Sequence, residues 1–429
     1  MSSPAPSALD VAEHFFASPR LSSALTLVIV ASELAAVLAR DLIGWPGALA
    51  VLGGLVVLAS LSLLAQRHMI EWNGLLPISL MVFVGWAAVS VFWSQYQWAS
   101  LGSILYFGAV SLLGIYVALV RDTIQIARAF GDVLRAALLL SLALEIFSGV
   151  LIDTPLPFLG VAGHLADLGP IQGIFGGRNH LGVIALIAIV TFGLELRTKS
   201  VRRGTAIASL VLAGALLLLS RSPVAIGTMV IVALATLALF GIRQLPPQRK
   251  RIGQVALLVL AIVATILAWA YRTPVINAFA ASSELSKRLR LWQQIRLLNP
   301  LHELEGWGWI GQWRRSIPPY SNIVDAPTSG LNAYLDVWLQ IGLIGLLLFV
   351  GLLGLAFIRS WLLASRQRSV VYAWPALVLV VLAVSSLAES SILVEFGWLT
   401  FVVCSVKAAR ELSWRRAFAE TMSPRPLEE

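Results

Sequence analysis

Apolar stretches of about twenty residues recur along almost the whole of this 429-residue chain, and no other feature narrows its fold so far. At about 1.5 Å of rise per residue, a helix of that length matches the roughly 30 Å hydrocarbon thickness of a bilayer. The stretches are continuously apolar, not alternating, which excludes an outer-membrane-type barrel. Only 12% of residues are charged and the mean hydropathy is +0.85, too little charge to cover a soluble domain of this size. The chain therefore reads as all-α, a polytopic membrane protein with about twelve transmembrane helices.

The predicted spans fall near 22–39, 47–65, 75–94, 101–120, 132–152, 173–196, 204–220, 223–241, 253–271, 331–357, 371–389 and 391–408. The stretch 204–241 is almost unbroken and too long for a single crossing. Ser220-Arg221-Ser222-Pro223 divides it, because proline suits the first turn of a new helix. With the N-terminus in the cytoplasm, Arg197 to Arg203, Arg243 to Arg251, Arg359 to Arg368 and the C-terminal basic residues all fall inside. The short outside loops carry only Arg40, Arg178 and Arg221. This positive-inside pattern predicts both termini in the cytoplasm, in a cytoplasmic (inner) membrane.

No n-region followed by a small-residue cleavage site opens the chain, so the first span is expected to be its own insertion signal. The single cysteine, Cys404, excludes an intrachain disulfide framework. The net charge of +9 would point to nucleic acid in a soluble protein; here its sidedness matters more, and no nucleic-acid partner is expected. The organisation is a cytoplasmic tail at 1–21, membrane spans one to nine over 22–271, a large external cap loop at 272–330, spans ten to twelve over 331–408, and a tail at 409–429. Within the cap, residues 282–298 have helical spacing, with Leu285, Leu289, Trp292 and Ile295 on one face and basic residues on the flank. A Trp-rich, turn-rich stretch, 299–313, follows.

The remaining polar residues collect at the outer ends of the spans. Arg221 is either a snorkelling arginine marking a hairpin or a guanidinium held to bind phosphate bidentately. Arg178, Asn179 and His180 open the sixth span, where donors and a helix N-terminus make an anion site. Arg288, Arg290 and Trp292 lie on the cap helix, with lipid headgroups as the alternative partner of the arginines. Asn332, Asp336 and Gln340 share one face of the tenth span; the acid is a functional candidate, and helix capping or interhelical hydrogen bonding is the structural alternative. Glu389 and Glu395 bring two more carboxylates to the same level, for chemistry or for pairing with the arginines. Basic groups for phosphate, acids and amides for hydroxyls, and aromatics for stacking suit a lipid-linked sugar. There is no Walker loop, H-E-x-x-H or G-x-S-x-G, and neither a cofactor nor a metal is expected.

Several segments, in order, resemble the O-antigen ligase and polymerase superfamily, which includes exopolysaccharide polymerases. VSVFWSQYQWASL (89–101), GIFGGRNHLG (173–182), LLLSRSP (217–223), SKRLRLW (286–292), GWGWIGQW (306–313) and LNAYLDVWLQIGLIGLLLF (331–349) carry the resemblance. It implies a glycosyltransferase that polymerises or ligates surface polysaccharide from an undecaprenyl-pyrophosphate-linked glycan, at the outer face of the cytoplasmic membrane. The acceptor would be a glycan or lipid, with membrane lipids and polysaccharide assembly proteins as further partners. By position, Arg221 and Arg288 match arginines that hold the donor pyrophosphate. The family's general base is a histidine before the asparagine, and Leu331 stands there; Asp336, His302 and Asp325 are the replacements within reach along the chain. The expected site is thus Arg221, Arg288 and Asp336 for catalysis, with Arg178, Asn179, Arg290, Trp292, Asn332 and Glu389 binding substrate. A lipid-linked glycan flippase and an inactive scaffold are the alternatives. A transporter would place charge at the midplane, whereas these groups gather at one surface.

Overall fold

A computed structural model describes residues 8–68, 77–166, 168–271, 283–323 and 327–411. Among them the protein is helical, with no strand beyond one isolated bridge between Leu156 and Val161. Among the described residues, most of each predicted stretch lies on helix. Seven helices among the described residues are long and apolar enough to cross a membrane, and three shorter apolar ones join them.

Helices α1 (Ala8–Phe16), α2 (Pro19–Leu34) and α3 (Ala36–Ala65) open the chain. The path of α3 breaks at Gly44, where φ is +69°, and Pro46 follows at once. The predicted first loop thus lies inside a nominally continuous helix. Then come α4 (Ile78–Val89), α5 (Gln97–Val120), α6 (Thr123–Ile146), α7 (Arg178–Thr198), α8 (Arg203–Leu219), α9 (Pro223–Gln244) and α10 (Pro247–Ala270). The cap helix α11 (Ser283–Leu298) precedes α12 (Ala333–Arg366), α13 (Ala373–Ser385) and α14 (Glu395–Glu411).

One large core joins most of these helices, centred on aromatic contacts such as Phe107 stacked on Trp398 at 4.3 Å. Isolated hydroxyls inside it are satisfied locally: Trp398 Nε1 donates to Ser111 Oγ at 2.8 Å, and Trp374 Nε1 to Thr191 Oγ1 at 2.9 Å. Helix α10 is the exception. It touches chiefly α9 and exposes Ile252, Val259 and Leu260, as a lipid-facing helix would.

The two ends of the bundle differ. At one, basic residues cap helix ends: Arg128 donates to Ser200 O at 2.8 Å, Arg243 to Arg368 O at 2.7 Å, and Arg410 to Leu119 O at 2.9 Å. At the other, the cap knits to the helix termini. There Trp93 Nε1 donates to Glu305 O at 3.1 Å, and Ser103 Oγ to Ile310 O at 2.8 Å. Loops assigned to the same side by charge therefore meet on the same side.

The cap is anchored at a break in α12. Ile341 and Gly342 leave helical geometry, and Gly342 has φ of +71°. The groups this frees bond to the cap: Trp307 N donates to Leu339 O at 3.1 Å, Gly308 N to Gln340 O at 2.7 Å, and Leu343 N to Glu303 O at 2.8 Å. A Cβ at Gly342 would lie 2.0 Å from Leu304 O, so only glycine permits this approach. The sequence reads this segment as one uninterrupted span from 331 to 357. The break overrides that reading because the cap supplies the hydrogen bonds that continuous helix would have supplied.

Candidate functional site

The Ser220–Pro223 turn between α8 and α9 forms as its sequence requires. Ser222 Oγ caps α9, accepting from Ala225 N at 3.1 Å, and Pro223 takes the first helical position. Between the two buried serines, Arg221 adopts φ of +45° and its side chain is exposed. A non-glycine residue in this region stores strain of about 1–3 kcal/mol.

Ser222 Oγ also donates to Asn179 Oδ1 at 2.7 Å, tying this turn to the start of α7. From there an ion-pair network extends. Asn179 Nδ2 donates to Glu389 Oε1 at 2.8 Å, and Arg288 Nη2 donates to the same oxygen at 2.9 Å. Arg178 pairs with Glu284 Oε2, while Arg288 reaches Glu284 Oε1 at 3.2 Å. Arg288 also donates to Ala388 O. It is 6% exposed, and Glu389 is 5% exposed. Two arginines and two carboxylates thus neutralise one another across α7, the cap helix and the α13–α14 loop. Arg178, Asn179, Arg288 and Glu389 come together from segments far apart in sequence, with Arg221 next to the residue that bonds Asn179.

The cap helix matches its predicted range within one residue, but its buried stripe is rotated. Arg288, Leu291 and Ile295 face inward, while Leu285 and Leu289 are half-buried. Burial of Arg288 follows from the carboxylates and carbonyls waiting for it. Trp292 is half-buried and donates through Nε1 to Gly330 O at 3.0 Å; Arg290 is exposed.

The polar stripe of α12 does different work. Asn332 caps the helix, its Oδ1 accepting from Tyr334 N and Leu335 N, each at 3.1 Å. Asp336 is 1% exposed. Its Oδ1 accepts from Trp313 Nε1 at 2.6 Å and Gln340 Nε2 at 2.8 Å, and its Oδ2 from Gly330 N at 3.0 Å. Gln340 Oε1 accepts from Ile310 N at 2.9 Å and Gly311 N at 3.0 Å. Asp336 and Gln340 therefore hold the cap loop, with every oxygen engaged. Leu331 has φ of +47° and packs into the cap's apolar cluster. His302 bonds Glu305 at 2.9 Å, and this bond holds the Glu305 carboxyl below its ordinary range. Asp325 lies outside the described residues.

Sequence reasoning passed over Glu284, although its position four residues before Arg288 on a helix is a readable pairing signal. It also passed over Arg40, which pairs with Glu395, a lining residue of a cavity of about 650 Å³. Nothing local in the sequence joins those two, since 355 residues separate them.

The fold and this cluster define a multi-pass helical membrane protein with an arginine–carboxylate site beneath a cap at one end of the bundle. Residues 208–350 match the family model described as O-antigen ligase (Wzy_C). That match supports a place for this part of the chain in the O-antigen ligase/polymerase superfamily. The matched third of the chain runs from α8 through the Ser-Arg turn and the cap to the break in α12 and beyond. No curated protein matches the chain at a significant level. The matched domain supports an O-antigen ligase-type membrane protein of polysaccharide assembly.

Proposed function

We propose that this protein transfers glycan from an undecaprenyl-pyrophosphate donor to a glycan or lipid acceptor, at the outer face of the cytoplasmic membrane. In this reading all twelve apolar stretches cross the bilayer, both termini are cytoplasmic, and the cap faces outward. The single observation that carries it is the Arg221 turn bonded, through Ser222 and Asn179, to the buried Arg288–Glu389 pair at the capped end.

The chemistry follows from charge. The acceptor hydroxyl oxygen forms a bond to the anomeric carbon of the donor sugar. The bond from that carbon to the phosphate oxygen breaks, the pyrophosphate leaves with the electron pair, and the hydroxyl proton passes to solvent or to the departing phosphate. Arg221, exposed and without a carboxylate partner among the described residues, is placed to meet the developing negative charge. Glu284, bridging Arg178 and Arg288, is a stand-in for one phosphate, and displacing it would free Arg178 for the donor. Arg288 and Glu389 position Asn179 and the cap. Asp336, sealed among hydrogen-bond donors, is a positioning residue for the cap loop in this mechanism.

Arg221→Ala in the native host tests the proposal. Polyprenyl-pyrophosphate-linked repeat units are expected to accumulate on the outer face, with surface glycan lost and the protein still inserted. Normal glycan length and amount would overturn the proposal, and accumulation on the inner face would favour a flippase.

A further inference from the structure

The cavity of about 650 Å³ lies between α5, the α13–α14 loop and the cap segment 309–314, and none of Arg178, Arg221 or Arg288 lines it. Its walls are aromatic, with Trp45, Tyr106, Trp309 and Trp398 prominent, and its polar groups include Gln312 and Glu395. A side pocket of about 100 Å³ shares Gln312 and Glu395 and ends against Glu33 and His180.

Two features here are costly for the fold alone. Glu33 is 5% exposed, and its Oε2 has no hydrogen-bond partner. A buried acceptor left unmade costs free energy that an apolar residue would not. Glu395 adopts φ of +47° at the start of α14, a strained geometry for glutamate. Its Oε1 accepts from Arg40 and, at 3.3 Å, from Gln312, leaving Oε2 without a partner among the described residues. Arg40 is itself held over the Trp45 ring at 5.0 Å, which fixes the pair at the cavity wall.

A ligand for this chamber must have apolar faces to lie on indole rings and hydroxyl donors at its edges. Among the described residues, the one cation in the cavity lining, Arg314, is matched by Glu395, so the chamber offers a phosphate no net positive charge. A lipid chain would leave both carboxylates unsatisfied. We propose that the cavity binds pyranose rings of the glycan, with Glu395 accepting hydrogen bonds from sugar hydroxyls, the tryptophans covering the ring faces, and Glu33 meeting a hydroxyl that enters the side pocket. The volume suits such a ligand, lying within the roughly 300–1,000 Å³ of small-molecule sites. This assignment rests on the glycosyl-transfer reading for its ligand, but on different residues.

The test uses the full chain in lipid nanodiscs and, as probe, repeat-unit glycan released by mild acid from the host's lipid-linked pool, so that it carries neither pyrophosphate nor lipid. Titration is followed by tryptophan fluorescence. Wild type is expected to give a saturable change, with Kd raised about tenfold or more in Glu395→Gln, as for losing a hydrogen bond to a charged group, and about fivefold in Glu33→Gln, as for a neutral one. Glu33→Gln has no ion pair to lose, so its thermal unfolding should match wild type, separating binding from folding. Arg221→Ala should bind the free glycan as wild type does. No saturable change, an equal response to polyprenol alone, or unaltered Kd in both glutamine variants would overturn the assignment. Saturable binding together with normal transfer by Arg221→Ala would uphold the cavity and overturn the donor reading.

Discussion

Arg288 and Glu389 meet at 2.9 Å with both side chains almost wholly buried, one from the cap helix and one from the α13–α14 loop. The pair joins the cap to the membrane helices, and Asn179 shares its oxygen. Removing one partner strands the other charge in a desolvated site. Arg288→Ala should therefore destabilise the protein by about 3–5 kcal/mol, the range for breaking a buried pair. Thermal unfolding in detergent would read this as a large drop in midpoint. Arg288→Lys should recover only part of it, because a lysine cannot reach Glu284, Glu389 and Ala388 O with one planar fork.

Asp336→Asn separates a positioning role from a catalytic one. The amide keeps the shape but puts its NH2 where at least one N–H, that of Gly330, now points, costing about 1–3 kcal/mol for the unsatisfied group. Transfer activity per folded molecule is expected to stay within a few-fold of wild type. A loss of about 10² or more with unchanged unfolding would show that Asp336 moves a proton in the reaction.

Much of this was readable from local pattern. Proline after Ser-Arg-Ser divides 204–241 into two helices as the structure does, and the cap helix keeps its range. What local pattern leaves out is direction. Apolar spacing turns Leu285 and Leu289 inward, yet Arg288 takes that face, because Glu389 lies 101 residues away and exerts no local signal. The face shared by Asn332, Asp336 and Gln340 is legible at four-residue spacing, but not that Asp336 and Gln340 bond the cap loop while Asn332 caps the helix. Ile-Gly-Leu-Ile-Gly (341–345) reads as ordinary membrane helix. The break there exists only because residues 303–308 fold back to bond it.

That break yields a sharp expectation. Gly342→Ala puts a methyl group 2.0 Å from Leu304 O and forces a non-glycine residue to φ of +71°. Strain alone is about 1–3 kcal/mol, and relief requires Leu304 to withdraw. Hydrogen exchange should show the amides of 304–308 losing protection, while those of α8, which packs on α6 and α7, keep theirs.

The Glu305–His302 contact sets a small acid dependence. The bond from His302 lowers the Glu305 pKa from its ordinary 4.5, so its contribution is complete above that value and disappears as pH falls through the lower folded one. Both side chains are well exposed, so the effect is confined to a shallow slope on the acid side. Glu305→Gln should flatten the unfolding midpoint against pH below about 4.5 and leave it unaltered near neutrality.

Glu284 offers the most direct test of how the donor would be received. It is the more exposed of the two carboxylates in the network, and its oxygens occupy Arg178 and Arg288. If a phosphate must displace it, Glu284→Gln removes the competitor while keeping a hydrogen-bonding side chain of the same length. The apparent KM for the polyprenyl-pyrophosphate donor should then fall a few-fold, since partly exposed pairs are worth about 0.2–1 kcal/mol. The turnover number should hardly change, because Arg221 and the buried Arg288–Glu389 pair are untouched. Inorganic pyrophosphate should inhibit the variant at correspondingly lower concentration. A rise in both KM and inhibition constant would instead mean that Glu284 holds Arg178 and Arg288 in their binding geometry, and that the phosphate joins the carboxylate at the arginines without replacing it.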